Sequence, residues 1–226
     1  MVLSAADGEA GRSAEALEQL CQAYWYPLYA FIRRQGWSAE DAPDLTQAFL
    51  SHLLQNNRLA QVHPEKGRFR SFLMASARHF LANEWDRQHR LKRGGGAEFI
   101  SLDAEAAEGR YKLEPGHDES PEKIFARRWA QTVVEQVAAR LTGEFAGAGQ
   151  ADRFEVLKDF LTSDPGNCSY GDAAARLDLS VSAVTSAIHR MRARFRDLFR
   201  AEIANTVGSL DEVDEEIRYL LTQLSP

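Results

Sequence analysis

The chain has 226 residues, 44% of them hydrophobic and 27% charged, which is enough apolar material for two modest helical cores. No apolar run approaches the roughly 20 residues of a membrane span, Met1–Gly11 lacks the layout of a secretory leader, and Cys21 and Cys168, far apart in sequence, support neither a disulfide framework nor a metal cluster. A cytoplasmic protein is expected, and the net charge of −6 excludes a uniformly basic surface.

Apolar residues Leu17, Leu20, Tyr24, Leu28 and Phe31 recur at three- and four-residue steps and predict a helix with one buried face. Pro27 inside that pattern should kink it or shift a boundary. A second helix after Gly36 turns Leu45, Phe49 and Leu53 inward. Ser38 or Asp41 can cap it, and Pro43, tolerated near a helix start, favours the later residue. The loop His63–Gly67 leads into a long helix on Phe72, Leu73, Ser76, Phe80 and Leu81, which Gly94-Gly95-Gly96 ends. Residues 97–119 are acidic, carry Pro115-Gly116 and show no sustained period, so they read as a flexible linker. Ser120-Pro121 restarts a helix as cap and first position, with Phe125, Trp129, Val133, Val137 and Leu141 as its stripe. Past Gly147–Gly149 a shorter helix carries Phe154, Leu157 and Leu161. The expected fold is all-α. Two small helical domains, 12–96 and 120–208, are joined by the linker and followed by an acidic helix within 209–226.

Charge is segregated along this layout. Between Arg58 and Arg93 nine basic residues face three acids, and between Ser169 and Arg200 six face three. Glu98–Glu122 has eight acids to two basic residues, and Glu202–Pro226 six to one. Screening limits electrostatic reach to roughly 8–10 Å at physiological salt, so local islands outweigh the average.

The run Ser169-Tyr170-Gly171-Asp172-Ala173-Ala174-Ala175-Arg176-Leu177-Asp178-Leu179-Ser180-Val181-Ser182-Ala183-Val184 has the layout of a helix-turn-helix. A short helix packs through Ala173, Ala174 and Leu177, Asp178-Leu179 turns the chain with Leu179 filling the corner, and Ser180 caps the second helix. Val184, Ile188, Met191, Phe195 and Leu198 form the buried stripe of that second helix. Ser182, Thr185, Ser186, His189, Arg190, Arg192 and Arg194 are left for its outer surfaces, where arginines and hydroxyls suit base edges and phosphates. The first basic island, Arg68, Phe69, Arg70, Phe72, Arg78, His79, Asn83, Arg87, His89 and Arg90, interleaves aromatic and amide groups with arginines, a mixture suited to unstacked bases beside a phosphate track. Phe72 and Phe80, on the apolar stripe, are expected in the core.

Taken in order, Tyr24-Trp25-Tyr26-Pro27-Leu28, the stretch Asp41–Leu50, Gly67-Arg68-Phe69-Arg70-Ser71-Phe72-Leu73 and the helix-turn-helix resemble the extracytoplasmic-function sigma factors of bacterial RNA polymerase, over roughly Ala14–Ala204. The likeness is in particular to the branch found beside serine/threonine kinases. The resemblance implies a sigma-2 domain, a linker and a sigma-4 domain, with core RNA polymerase and promoter DNA as partners. Asp41, Asp44 and Gln47 match the acidic patch that docks on polymerase, although the family usually has an acid where this chain has Ala48. The loop His63–Ser71, including Arg68, Phe69 and Arg70, matches the segment that traps a flipped base of the downstream promoter element. Arg78, His79, Asn83 and Arg87 match positions that open and read that element. Ser182, Thr185, Ser186, His189, Arg190 and Arg192 are assigned to the upstream element, although relatives often carry basic residues where this chain has Thr185 and Ala187. Control could come from an anti-sigma factor, from a serine/threonine kinase acting at Thr46 beside the acidic patch, or from the tail itself.

No glycine-rich phosphate loop follows a strand, no HExxH occurs, and the six histidines lack ligand spacing, so neither an enzyme, a cofactor nor a metal is expected. A stand-alone helix-turn-helix repressor or activator and a helical adaptor remain as alternatives. In the tail, Val213, Ile217, Leu221 and Leu224 predict an amphipathic helix with Asp211, Glu212, Asp214, Glu215 and Glu216 on its other face. Such a helix either completes a core on the second domain or the junction, or lies near a DNA-binding surface and competes with phosphate.

Overall fold

A computed structural model describes residues 10–55, 68–90, 102–114, 119–161 and 169–224. Among them the regular elements are helical: α1 (Ala10–Arg34), α2 (Asp41–Gln55), α3 (Phe69–Arg90), α4 (Leu102–Lys112), α5 (Pro121–Gly147), α6 (Ala151–Leu157) with a 3-10 turn (Lys158–Leu161), α7 (Tyr170–Leu177), α8 (Val181–Ala204) and α9 (Asp211–Leu224). No helix among the described residues is long and apolar enough to cross a membrane. The chain divides into unit 1, Met1–Thr132 with Ile203–Pro226, and unit 2, Val133–Glu202. The tail therefore belongs with the first unit, and the division falls inside α5, not at its start.

In unit 1, α1 packs against α2, and α2 against α3. Leu20, Tyr24, Leu28 and Phe31 of α1 are buried, as are Leu45, Phe49 and Leu53 of α2. Helix α1 runs through Pro27 without a break; side-chain burial along the face outweighs the one backbone bond that proline removes. It ends at Gly36, whose φ of 96° suits a residue without a Cβ. Ser38, the earlier of the two candidate caps, starts α2. Its hydroxyl accepts the Asp41 N–H at 3.0 Å and donates to the Asp41 carboxylate at 2.6 Å. Tyr24 is the hub of the core, with its ring 5.4 Å from Phe69, 6.4 Å from Phe125 and 6.0 Å from Trp129.

The stretch expected to be a flexible linker carries α4, which packs on α1. Ala107 is buried, and Glu108 accepts from Arg33 Nε at 2.9 Å, Arg33 Nη2 at 3.0 Å and Tyr29 Oη at 2.6 Å. Beyond the helix, Glu114 is sealed from solvent and bound by Arg127 at 2.8 Å, Tyr26 at 3.0 Å and Arg128. Acids that read as a solvated run are thus the partners of arginines in α1 and α5. Burial of paired carboxylates is tolerated because the guanidiniums satisfy their lone pairs.

Unit 2 holds the second half of α5, with Val133, Val137 and Leu141 buried, followed by α6, α7 and most of α8. Gly149, at φ 68°, closes α5, with the Gln150 N–H donating to Phe145 O at 2.8 Å. The next turn buries Phe160, not the expected Leu161.

Candidate nucleic-acid interface

The helix-turn-helix of unit 2 is built from local chemistry. Ser169 and Asp172 form a reciprocal capping box at the start of α7. The hydrogen bonds from Ser169 hold the Asp172 carboxyl below its ordinary range. Asp178 ends α7 in the left-handed region, φ 52° and ψ 47°, and Ser180 accepts the Ala183 N–H at 3.2 Å to start α8. Ala173, Ala174 and Ala187 are buried, which lets backbones approach closely. Val184, Ile188, Met191 and Leu198 are buried and Phe195 half-buried. Leu179 does not fill the corner: it is 38% exposed, the left-handed turn having directed it to solvent.

Of the residues expected at the upstream element, Ser182, Thr185, Ser186, His189 and Arg190 are exposed along α8. The Thr185 hydroxyl donates to the Val181 carbonyl one turn back, at 2.9 Å. Arg192 departs from the set. It is half-buried, and its Nε donates to the Phe160 carbonyl at 2.7 Å, tying α8 to the 3-10 turn. Arg194 is also engaged, with both Nε and Nη2 on Glu144 at 2.8 and 2.7 Å.

Arg153, a residue the sequence pattern did not single out, joins this surface. A cavity of about 200 Å³ is lined by Arg153, Arg190 and Arg194 over a floor that includes Leu157 and Met191. The Nε of Arg153 is buried there without an acceptor. One arginine in a short helix carries no motif; only packing brings it beside Arg190.

In unit 1, Asp41, Asp44 and Gln47 lie exposed on successive turns of α2, and Ala48 with them. Thr46, the candidate for phosphorylation, is fully buried, and its hydroxyl donates to the Ala42 carbonyl at 2.7 Å. It points to the core because it lies on the same side of α2 as Leu45 and Phe49, away from the acids. On α3, Arg78, His79, Asn83 and Arg87 are exposed and spaced to share a face. Arg78 pairs with Glu122 at 2.5 Å and Arg87 with Glu84 at 2.6 Å, both exposed pairs of little energetic weight. Phe72 and Phe80 are half-buried, and Trp85 is 55% exposed. His63–Gly67 and the side chains of His89 and Arg90 lie outside the described residues.

Arg68, Phe69 and Arg70 stand differently. Phe69 is buried against Tyr24, and its N–H donates to the Thr206 carbonyl at 3.0 Å. Arg70 is buried; its Nε donates to Glu216 at 2.5 Å, and its guanidinium lies 3.9 Å from the Tyr219 ring centroid. Arg68 reaches Glu216 at 3.0 Å and Glu215 at 3.2 Å. The tail helix is thus docked on the start of α3. Its buried face centres on Val213, Glu216 and Leu220, while Leu221 is 52% exposed. Of the expected stripe Val213 is buried and Ile217 and Leu224 are half-buried, whereas Leu221 turns to solvent and Glu216, paired with two guanidiniums, lies in the buried face.

Compared with known proteins, the chain matches no family model, no curated protein and no solved structure.

Proposed function

We propose that the protein is a promoter-specificity subunit of RNA polymerase, a sigma factor of the extracytoplasmic-function type. The observation that supports this reading best is the presence of three exposed faces of different chemistry on helices. The capped helix-turn-helix presents Ser182, Ser186, His189 and Arg190; α3 presents Arg78, His79, Asn83 and Arg87; α2 presents Asp41, Asp44 and Gln47. A protein that only bound duplex DNA would need the first face alone. One that holds two promoter elements while docked on polymerase needs all three.

In this reading α8 enters the major groove N-terminus first, so Ser182, Ser186 and His189 meet base edges while Arg190 and Arg153 meet phosphate. The α3 face meets the opened downstream element, where the amide of Asn83 and the His79 ring can contact unstacked bases and the arginines track the backbone. The acids of α2 meet basic residues of polymerase.

Size-exclusion chromatography of the protein with core RNA polymerase tests the reading. Co-elution is expected, and Asp41→Arg with Asp44→Arg should abolish it without changing the helical signal in circular dichroism. Elution as a free dimer that binds palindromic duplex DNA would support a stand-alone repressor and overturn the proposal.

A further inference from the structure

We infer that the start of α3 is an anion site built for a nucleic-acid phosphate, and that the protein's own Glu216 fills it as a removable stand-in. The inference rests on the promoter-binding reading above and deepens it.

Two guanidiniums, Arg68 and Arg70, converge at the first turn of a helix of 22 residues. The positive end of a helix dipole disfavours cations, so placing two there calls for an anion. The anion present is the Glu216 carboxylate, 0% exposed, with Arg70 at 2.5 Å and Arg68 at 3.0 Å. Glu216 is the one carboxylate that both guanidiniums share, while Glu215, 62% exposed, reaches Arg68 from the solvent side at 3.2 Å. A phosphodiester accepts bidentate guanidinium bonds as a carboxylate does.

The contacts that hold the tail which delivers Glu216 include apolar and aromatic ones. Val213 and Leu220 are buried, Tyr219 lies on Arg70, and the Thr206 carbonyl accepts from Phe69. Leu210 and Leu221 remain 79% and 52% exposed. The centre of the tail helix's buried face is a carboxylate, the group that competes with phosphate for the same donors. The docked tail therefore withholds Arg68 and Arg70 from DNA, and phosphate binding there requires Glu216 to leave. Arg78, His79, Asn83 and Arg87 stay exposed throughout, so the tail gates the first part of the α3 surface and not all of it.

The experiment uses the full chain and a fluorescein-labelled single-stranded 20-mer of mixed sequence, titrated between 50 and 200 mM salt. The variant Glu215→Gln with Glu216→Gln keeps side-chain size and removes the competing charge. Two freed single-strand phosphate contacts steepen the slope of log K against log salt by about 1.4, so the variant's advantage over wild type shrinks roughly sevenfold across that range. Tighter binding at 50 mM with the steeper slope is the expected result. Equal affinity and slope in a folded variant overturn the inference, and co-elution of the wild-type protein with polymerase then leaves the promoter-binding reading standing. If wild type and variant bind neither polymerase nor the oligonucleotide, the promoter-binding reading itself falls. Should the double variant fail to fold, hydrogen exchange on the wild-type chain decides. Amides of α9 are expected to lose protection when the oligonucleotide saturates the protein, and unchanged protection overturns the inference.

Discussion

Arg70 and Glu216, 146 positions apart in the chain, meet through a 2.5 Å hydrogen bond with both side chains buried. Removing one partner leaves an uncompensated charge in unit 1, which costs about 3–5 kcal/mol. Glu216→Ala should therefore lower the urea midpoint markedly. Replacing both, as Arg70→Met with Glu216→Leu, should recover most of that loss, since well-packed apolar pairs are often neutral or better in such positions. A double variant as unstable as the single one would show that the pair itself, and not its desolvation, dominates.

Arg190 and Arg192 lie two residues apart on α8 and should respond differently. Arg190→Ala should weaken upstream-element binding by about 1–3 kcal/mol with little change in melting temperature. Arg192→Ala frees the Phe160 carbonyl and should cost about 1–3 kcal/mol of stability, measured by chemical denaturation. Arg153→Gln should leave stability unchanged or improved, because its Nε has no acceptor in the cavity, and should reduce the salt slope of DNA binding by about 1. Reversed behaviour of Arg190 and Arg192 would exchange their roles.

Glu108 ties stability to pH. Hydrogen bonds from Arg33, then from Tyr29, hold its carboxyl below the ordinary value of 4.5. A depressed folded-state value means the contribution is fully present above about 4.5 and is lost as pH falls through the folded value. Glu108→Gln should melt below wild type at about pH 6, and the gap should narrow as the pH falls below the ordinary value of 4.5 and through the depressed folded value. The same carboxylate, with burial as the larger cause, raises the Tyr29 hydroxyl far above its ordinary range, so no loss from tyrosine ionisation is expected at mildly alkaline pH. A gap that persists into strong acid would mean the variant acts through packing instead.

Asp178 sits at φ 52° between α7 and α8, in a region that strains residues with a Cβ. Asp178→Gly should relieve that strain and stabilise unit 2 by about 0.5–1 kcal/mol, the gain reduced by glycine's greater freedom when unfolded. Thermal melting of the two proteins checks it, and a lower midpoint for the glycine variant would show that the aspartate side chain contributes more than the strain costs.

Most helices and their caps were legible in order along the chain, because they follow from neighbours a few positions away. Ser120-Pro121, Ser180 and the stripe Phe125–Leu141 are local patterns, and each appears where the spacing puts it. So is the exposure of Asp41, Asp44, Arg78, His79, Asn83 and Arg190, since polar residues opposite an apolar stripe face water. Tertiary structure decided what charge does once it is paired. Periodicity assigns faces by apolarity, so Glu108 and Glu114, in a stretch without a period, read as linker residues, Glu216 as an acid on the tail's outer face, and Arg70 and Arg192 as surface donors. Each is instead turned inward by a partner on another element of the fold: Arg33, Arg127 and Arg128, Arg70 and Arg68, Glu216, and the Phe160 carbonyl. The cost of burying a charge is set by whether an opposite charge is within reach, and reach is a property of the folded chain that neighbouring residues do not encode.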